Sequence, residues 1–340
     1  MPSSPQEAIP KQVTEPQQFI NNPTRKPLLL KDENLANLTQ RSDKLPMADI
    51  LRRLLILIPT VIALCYLVAV LWVFLFQERL IYEPGDRILF QTPGDFGLEF
   101  EDLTLTGEDD AKLHGWFIPS PADRGTVLFF HGNAGNISHL LDVAEMFHSW
   151  GLHVLLIDYH GYGQSEGKPS ETATQASARA AWNFLVEEKN ISENKIILHG
   201  RSLGAAIAAD LATTVQPAGI ILEAGFTALA DVGAKLYPWL PVRFLSRHDY
   251  PTIENVTHFK TPVLVTHSRD DELIPFSHSE AIYAAAPEPK RFFEMHGSHG
   301  SSASDTGEPY ENAVREFIFE SLDHTNQSEL FDKEKTSPKN

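Results

Sequence analysis

Residues 200–204 read Gly-Arg-Ser-Leu-Gly. The run before them, Lys195–His199 (KIILH), is apolar and strand-like, and the run after, Ala205–Leu211 (AAIAADL), is made of strong helix formers. A serine at a sharp strand-to-helix turn is a nucleophile elbow: the hydroxyl is pushed out of the sheet and the helix N-terminus behind it favours developing negative charge. The turn leaves no room for side chains two positions away, and Gly200 and Gly204 meet that demand. Ser202 is therefore the candidate nucleophile.

Such a serine needs a base, and the base needs a carboxylate to orient it, in the chain order serine, acid, histidine. Downstream, the apolar run Pro262–Ser268 (PVLVTHS) leads into Arg269-Asp270-Asp271-Glu272-Leu273-Ile274-Pro275. The shorter run Arg291–Met295 (RFFEM) leads into His296-Gly297-Ser298-His299-Gly300. Loops that follow parallel strands share the ligand-binding edge of the sheet with the elbow. Asp270, Asp271, Glu272 and also Glu223, at the end of the run Gly219–Leu222, compete for the acid. His299, flanked by Gly297-Ser298 and Gly300, has the freer loop, and His296 reads as structural. As a metal pair the two histidines lack further ligands at suitable spacing.

Upstream, the apolar strand Thr126–Phe130 (TVLFF) ends in His131-Gly132-Asn133-Ala134-Gly135. In elbow folds such a loop donates one backbone N–H to the oxyanion hole and the residue after the nucleophile donates the other. These are Asn133 and Leu203. His131 reads as a residue that fixes the loop, and Asp158–Gly163 (DYHGYG) as a loop packed beside the elbow with no catalytic role.

The runs HGNAGN, IDYHGYGQSEGKPSE, HGRSLGAA, HSRDDELIPFSHS and HGSHG together resemble the α/β-hydrolase superfamily. Within it they are most similar to membrane-anchored serine hydrolases related to the palmitoyl-thioesterase and serine-aminopeptidase-like groups. The similarity runs from about Leu80 to Leu322. The resemblance implies an α/β-hydrolase fold, a mostly parallel central sheet with helices on both faces and a short cap insertion. It implies Asp271 as the acid, because the family's acid precedes a Glu and an Ile-Pro-type pair, and His299 as the base. It calls for no cofactor and no metal. The chain departs from the family in carrying Ser268 where glycine is usual, a second histidine at 296, and no N-terminal cysteine cluster of the kind found in depalmitoylating relatives.

The elements that must position these residues alternate along the chain. Phe100–Thr106 and Lys112–Ile118 read as antiparallel edge strands about a turn at Gly107–Asp110. Strands at Thr126–Phe130, His153–Asp158, Lys195–His199, Gly219–Leu222, Pro262–Ser268 and Arg291–Met295 then alternate with helices near Ile137–Trp150, Ala173–Lys189, Ser277–Ala285 and Pro309–Leu322. Alternation of this kind builds a parallel sheet covered on both faces. The one long insertion, Glu223–Thr261, carries Leu229, Leu236, Tyr237, Trp239, Leu240 and Phe244; it reads either as ordinary core packing or as a small cap lining an acyl pocket.

The chain has 340 residues, 42% of them hydrophobic, and a formal net charge of −17, which argues against nucleic-acid binding. Residues 1–48 and 323–340 have the composition of disordered arms. Leu54–Phe76 carries no charge and is long enough to cross a bilayer, with Pro59 near its start. The preceding arm is too long for a cleavable signal peptide. Arg41, Lys44, Arg52 and Arg53 before the span outnumber Arg79 and Arg87 after it, which puts the N-terminus in the cytoplasm and the catalytic domain, 80–322, on the other side. A catalytic part without cysteine suits that side. The whole reading is a single-pass, membrane-anchored serine hydrolase acting on a small-molecule or lipid-like acyl substrate. A serine aminopeptidase would need a carboxylate for the substrate amine, Glu223 or Asp158 being candidates. A membrane-tethered module without catalysis would have no use for the full set of nucleophile, base, acid and oxyanion loop.

Overall fold

The computed structural model describes residues 46–107 and 110–336, with side chains to residue 323. The chain divides into two compact units, Met1–Ala63 and Leu64–Asn340. In the first, the described residues are the leading part of a helix, α1 (Met47–Phe76). This helix starts at Met47 rather than at Leu54, so Pro59 falls in its interior and not in its first turns. Pro59 has no N–H to give the preceding turn; next to it, Thr60 Oγ1 donates to Ile56 O at 2.8 Å. α1 is apolar and long enough to cross a membrane, and none of its residues is buried. The expected N-terminal arm lies outside the described residues up to 45.

The second unit is built on eight strands: β1 (Glu101–Thr106), β2 (Lys112–Ile118), β3 (Thr126–Phe130), β4 (His153–Ile157), β5 (Ile196–Arg201), β6 (Gly219–Glu223), β7 (Val263–Ser268) and β8 (Lys290–Met295). They form one sheet in the order β1-β2-β4-β3-β5-β6-β7-β8. β1 and β2 are antiparallel to each other and β2 to β4; every later pairing is parallel. Residues 108 and 109 of the expected β1–β2 turn lie outside the described residues; around them Gly107 N–H donates to Ala111 O at 2.9 Å.

The helices that follow the strands are α2 (Leu141–Ser149), α3 (Glu171–Asn183, continued as a π-turn over Phe184–Glu188), α4 (Leu203–Leu211), α5 (Leu229–Leu236), α6 (Val242–Leu245), α7 (Phe276–Ala285) and α8 (Glu308–Thr336). Short α-helical turns at Glu78–Ile81, Thr252–Asn255 and Ser302–Thr306, and 3-10 turns at Pro93–Phe96, Ile137–His139, Glu193–Lys195 and Val256–His258, complete the described set. α8 continues through residues expected to form a C-terminal tail, of which 337–340 lie outside the described residues.

Burial on both faces explains the unbroken apolar strands. Leu128, Phe130, Leu198, Ile220 and Leu222 pack with α3 and α4 on one face; Val127, Phe129, Ile197, Ile221 and Leu264 pack with α2 and α8 on the other. The register aligns the strand ends. Phe130 pairs with Gly200, Arg201 with Glu223 and Ser268 with Met295, so the loops after β3, β5, β7 and β8 leave from one edge.

Candidate active site

Ser202 sits between β5 and α4 at φ 55°, ψ −117°, a conformation that costs a side-chain-bearing residue energy and persists only where its surroundings enforce it. The enforcement is visible. A Cβ on Gly200 would lie 2.1 Å from the carbonyl oxygen of Gly204, and one on Gly204 would lie 2.0 Å from that of Phe130. The Ser202 N–H donates to Glu223 O at 2.8 Å, fastening the turn to β6.

From the elbow a hydrogen-bonded chain runs across the sheet edge. Ser202 Oγ lies 2.9 Å from His299 Nε2, and His299 Nδ1 lies 2.6 Å from Asp271 Oδ2. Asp271 Oδ1 accepts from the amides of Leu273 at 2.9 Å and Ile274 at 2.8 Å. His267 Nε2 stands 3.1 Å from Asp271 Oδ2. Burial alone would push the Asp271 carboxyl up; the bonds from His267, His299 and the Ile274 amide outweigh it and hold the group well below the usual carboxylate range. An ionised Asp271 accepts the Nδ1–H of His299, which leaves Nε2 free to accept the serine proton.

The other acids of the loop do different work. Asp270 Oδ2 accepts from Gly297 N at 3.2 Å and Glu272 Oε2 from His299 N at 3.1 Å, so both hold the histidine loop by its backbone. Ser268 strengthens the same junction: its Oγ donates to Gly297 O at 2.6 Å and accepts from Asp270 N at 3.1 Å. His296 is exposed, with its amide on Thr306 Oγ1 at 2.9 Å. The Glu223 carboxylate is bonded to groups other than His299. It is buried, accepting from Arg201 Nε at 2.7 Å, His199 Nε2 at 2.9 Å and Tyr310 Oη at 2.6 Å.

The loop after β3 passes over Ser202: a Cβ on Gly132 would stand 3.6 Å from the serine Cβ. The Asn133 carbonyl accepts from Tyr162 Oη at 2.8 Å and Glu83 N at 2.9 Å, and its side chain donates to Ile81 O at 3.1 Å. Leu203 is the first residue of α4. Among the described residues neither the Asn133 nor the Leu203 amide donates a hydrogen bond to another group. His131 is buried, with Nδ1 2.7 Å from Gly132 O and its ring stacked on Tyr159 at 4.2 Å between centroids. Burial pushes its pKa down, which keeps it neutral. Tyr159 Oη donates to His131 O at 2.8 Å.

The Asp158–Gly163 loop therefore supports the oxyanion loop, a task that its sequence does not announce. Asp158 itself is fully buried, accepting from Ile137 N at 3.0 Å and facing His114 Nδ1 at 3.1 Å.

Beside Ser202 opens a largely apolar cavity of about 800 Å³. Its walls come from α5, α6 and the residues around them, from Phe226 and Ile274, and from the second half of α1. The insertion between β6 and β7 is thus a cap over the site rather than only core packing.

A serine aminopeptidase S33 family model matches residues 121–250. The α/β-hydrolase domain-containing protein WAV2 of Arabidopsis thaliana is 35% identical over 270 residues, 72% of this chain and 87% of that protein. An uncharacterized membrane protein of Saccharomyces cerevisiae is 32% identical over 256 residues, 72% and 89% of the two chains. Among solved structures, an esterase from Pyrococcus furiosus superposes with a TM-score of 0.61 at 21% identity, covering 71% of this chain and all of that one.

Proposed function

The chain belongs to the α/β-hydrolase superfamily, and on that premise we propose that it is a serine hydrolase, anchored in a membrane by α1, that cleaves carboxylic ester or thioester bonds. The observation that carries the reading is the continuous chain from Ser202 Oγ through His299 to Asp271 Oδ2, at 2.9 and 2.6 Å. Ser202 Oγ attacks the acyl carbon while His299 Nε2 takes its proton. The Asn133 and Leu203 amides receive the negative charge that develops on the carbonyl oxygen. Collapse breaks the bond to the leaving alcohol or thiol, which receives the proton from His299, and leaves an acyl-enzyme. Water, deprotonated by the same histidine, releases the acid and restores Ser202. Asp271 holds the histidine tautomer and balances the imidazolium.

The name of the matching family model raises the peptidase reading. The two carboxylates offered for a substrate amine, Glu223 and Asp158, are both buried and hydrogen-bonded to other groups, which favours the ester reading. For the anchor, the support is the length and apolarity of α1 and a relative described as a membrane protein. For a catalytic side opposite the cytoplasm, the support is the excess of positive residues ahead of the span.

Fluorophosphonate labelling of membranes holding the full chain tests the proposal. The wild type is expected to label, and Ser202→Ala and His299→Ala to lose labelling. A folded wild type that does not label, or a Ser202→Ala variant that does, would overturn it.

A further inference from the structure

The cavity beside Ser202 has one wall that the catalytic sheet does not supply. Val68, Ala69 and Trp72 of α1 line it, opposite Leu229, Leu236 and Leu240 of the cap. These residues all lie within the unit Leu64–Asn340. α1 and the cap are joined at two levels. At the end of the helix, Gln77 Nε2 donates to Leu245 O at 3.3 Å, Arg247 N donates to Gln77 Oε1 at 2.8 Å, and Arg247 pairs with Glu78 at 2.6 Å. Further back, Tyr66 Oη donates to Trp239 O at 3.2 Å and the two rings meet edge-on with centroids 6.4 Å apart.

The distance between these levels sets the geometry. From Tyr66 to Phe76 the helix rises about 15 Å, and the hydrocarbon core of a bilayer is about 30 Å thick. If the polar cluster Gln77–Arg79 with Arg247 marks the membrane surface, Trp239 lies well inside one leaflet. The outer side of the cap fits that depth. Leu236, Tyr237 and Trp239 border the cavity and are also exposed at its rim, and Phe244, which does not line it, is 91% exposed. So large an apolar face, continuous with an apolar span, marks a surface that leaves water. Two of the cap's cations fit as well: Arg243 is paired with Asp231 at 2.9 Å, and Lys235 has a stem long enough to carry its charge towards the headgroups.

We infer that the cap is sunk in the leaflet on the catalytic side, and that the cavity receives the acyl chain of a lipid ester directly from that leaflet. The inference rests on the serine-hydrolase reading and names its substrate class. The chain packs between α1 and α5 while its carbonyl meets Ser202. Acyl transfer to Ser202 Oγ then breaks the ester C–O bond, and the headgroup alcohol leaves towards water with the proton from His299.

The test uses the full chain in phosphatidylcholine nanodiscs. With Cys65→Ala as background, an environment-sensitive fluorophore is placed by Phe244→Cys on the cap and, as control, by Glu316→Cys on the exposed side of α8, outside the cap. Nitroxides carried at mid-chain on the lipids are expected to quench the first and spare the second. Equal behaviour of the two overturns the sunken cap. Labelling of Ser202 by hexadecyl and ethyl fluorophosphonates is then compared. The hexadecyl probe is expected to react at least tenfold faster, and Ala69→Trp to cut that ratio at least tenfold. Val68→Phe serves as a second variant, and monodispersity in detergent checks both. Labelling by both probes at one rate removes the acyl site and leaves the hydrolase standing. Labelling by neither refutes the hydrolase reading, and the acyl site falls with it.

Discussion

Asparagine in place of Asp271 would keep the shape of the side chain and reverse one hydrogen bond. Asp271 Oδ1 accepts from the Leu273 and Ile274 amides at 2.9 and 2.8 Å, and only an oxygen can do so. The asparagine oxygen is therefore held there, and its NH₂ group must occupy the Oδ2 position, 2.6 Å from His299 Nδ1. Facing a donor, Nδ1 must offer its lone pair. The proton moves to Nε2, which then points an N–H at Ser202 Oγ and cannot accept the serine proton. His267 loses little, because its Nε2 also reaches Ile274 O at 2.9 Å. The scaffold should survive while the base is in the wrong tautomer. That error costs a Ser-His-Asp site about 10⁴ in kcat, or about 5.5 kcal/mol. The assay is single-turnover acylation by an activated ester, with near-ultraviolet circular dichroism to confirm the fold. Raising the pH should not restore the rate, because the fault is a tautomer and not a missing ionisation. A folded Asp271→Asn variant within about tenfold of wild type would show that His299 is not oriented by this carboxylate.

Glu223→Gln should destabilise the protein by about 3 kcal/mol or more at neutral pH, because Arg201, with only 24% of its side chain exposed, loses its counter-ion; urea unfolding in detergent followed by tryptophan fluorescence measures this. Burial would raise the Glu223 pKa, but Arg201, His199 and Tyr310 outweigh it and hold the group far below the usual carboxylate range. A depressed folded-state pKa gives stability that is complete above the unfolded-state value and lost as pH falls below it. The gap between wild type and Glu223→Gln should therefore narrow from about pH 4.5 downward, and a gap constant down to pH 3 would contradict the assignment. Gly200→Ala should abolish folding or cost more than about 3 kcal/mol, since its Cβ would meet backbone that cannot yield; a soluble, labelling-competent Gly200→Ala would refute the account of the elbow.

The elbow was legible because its demands are local. Two backbone contacts near 2 Å dictate glycine at 200 and 204, and the flanking strand and helix follow from composition. The acid was harder to read. Asp270, Asp271 and Glu272 are adjacent, and each accepts an amide or an imidazole across the same junction. Spacing alone cannot say which one faces the ring, and the family resemblance made the choice. α1 extends beyond the apolar run Leu54–Phe76 because Met47–Arg53 is helical but not apolar throughout, so hydropathy marks the span and not the helix. The cavity wall on α1 was invisible because apolar residues facing lipid and apolar residues facing a pocket have the same composition.

The least legible part is the polar support beneath the site. A buried carboxylate is tolerated when it is matched by donors brought from far along the chain. Asp158 is matched by His114 and the Ile137 amide, and Glu223 by Arg201, His199 and Tyr310. His114 binds Asp158 with one ring nitrogen and Asp102 Oδ1, at 2.9 Å, with the other. Although burial opposes the charge on His114, the two carboxylates raise its pKa. Nothing in the neighbourhood of residue 158 or 223 in the sequence points to these partners, so both carboxylates looked free to bind a substrate amine. In the fold each is the counter-charge that fixes a loop edge: Asp158 through Ile137 and the tyrosines that hold the oxyanion loop, Glu223 through the backbone bond to Ser202. An amine could pair with Glu223 only by displacing one of its donors; displacing Arg201 would trade one buried cation for another and loosen the strand end that carries Ser202.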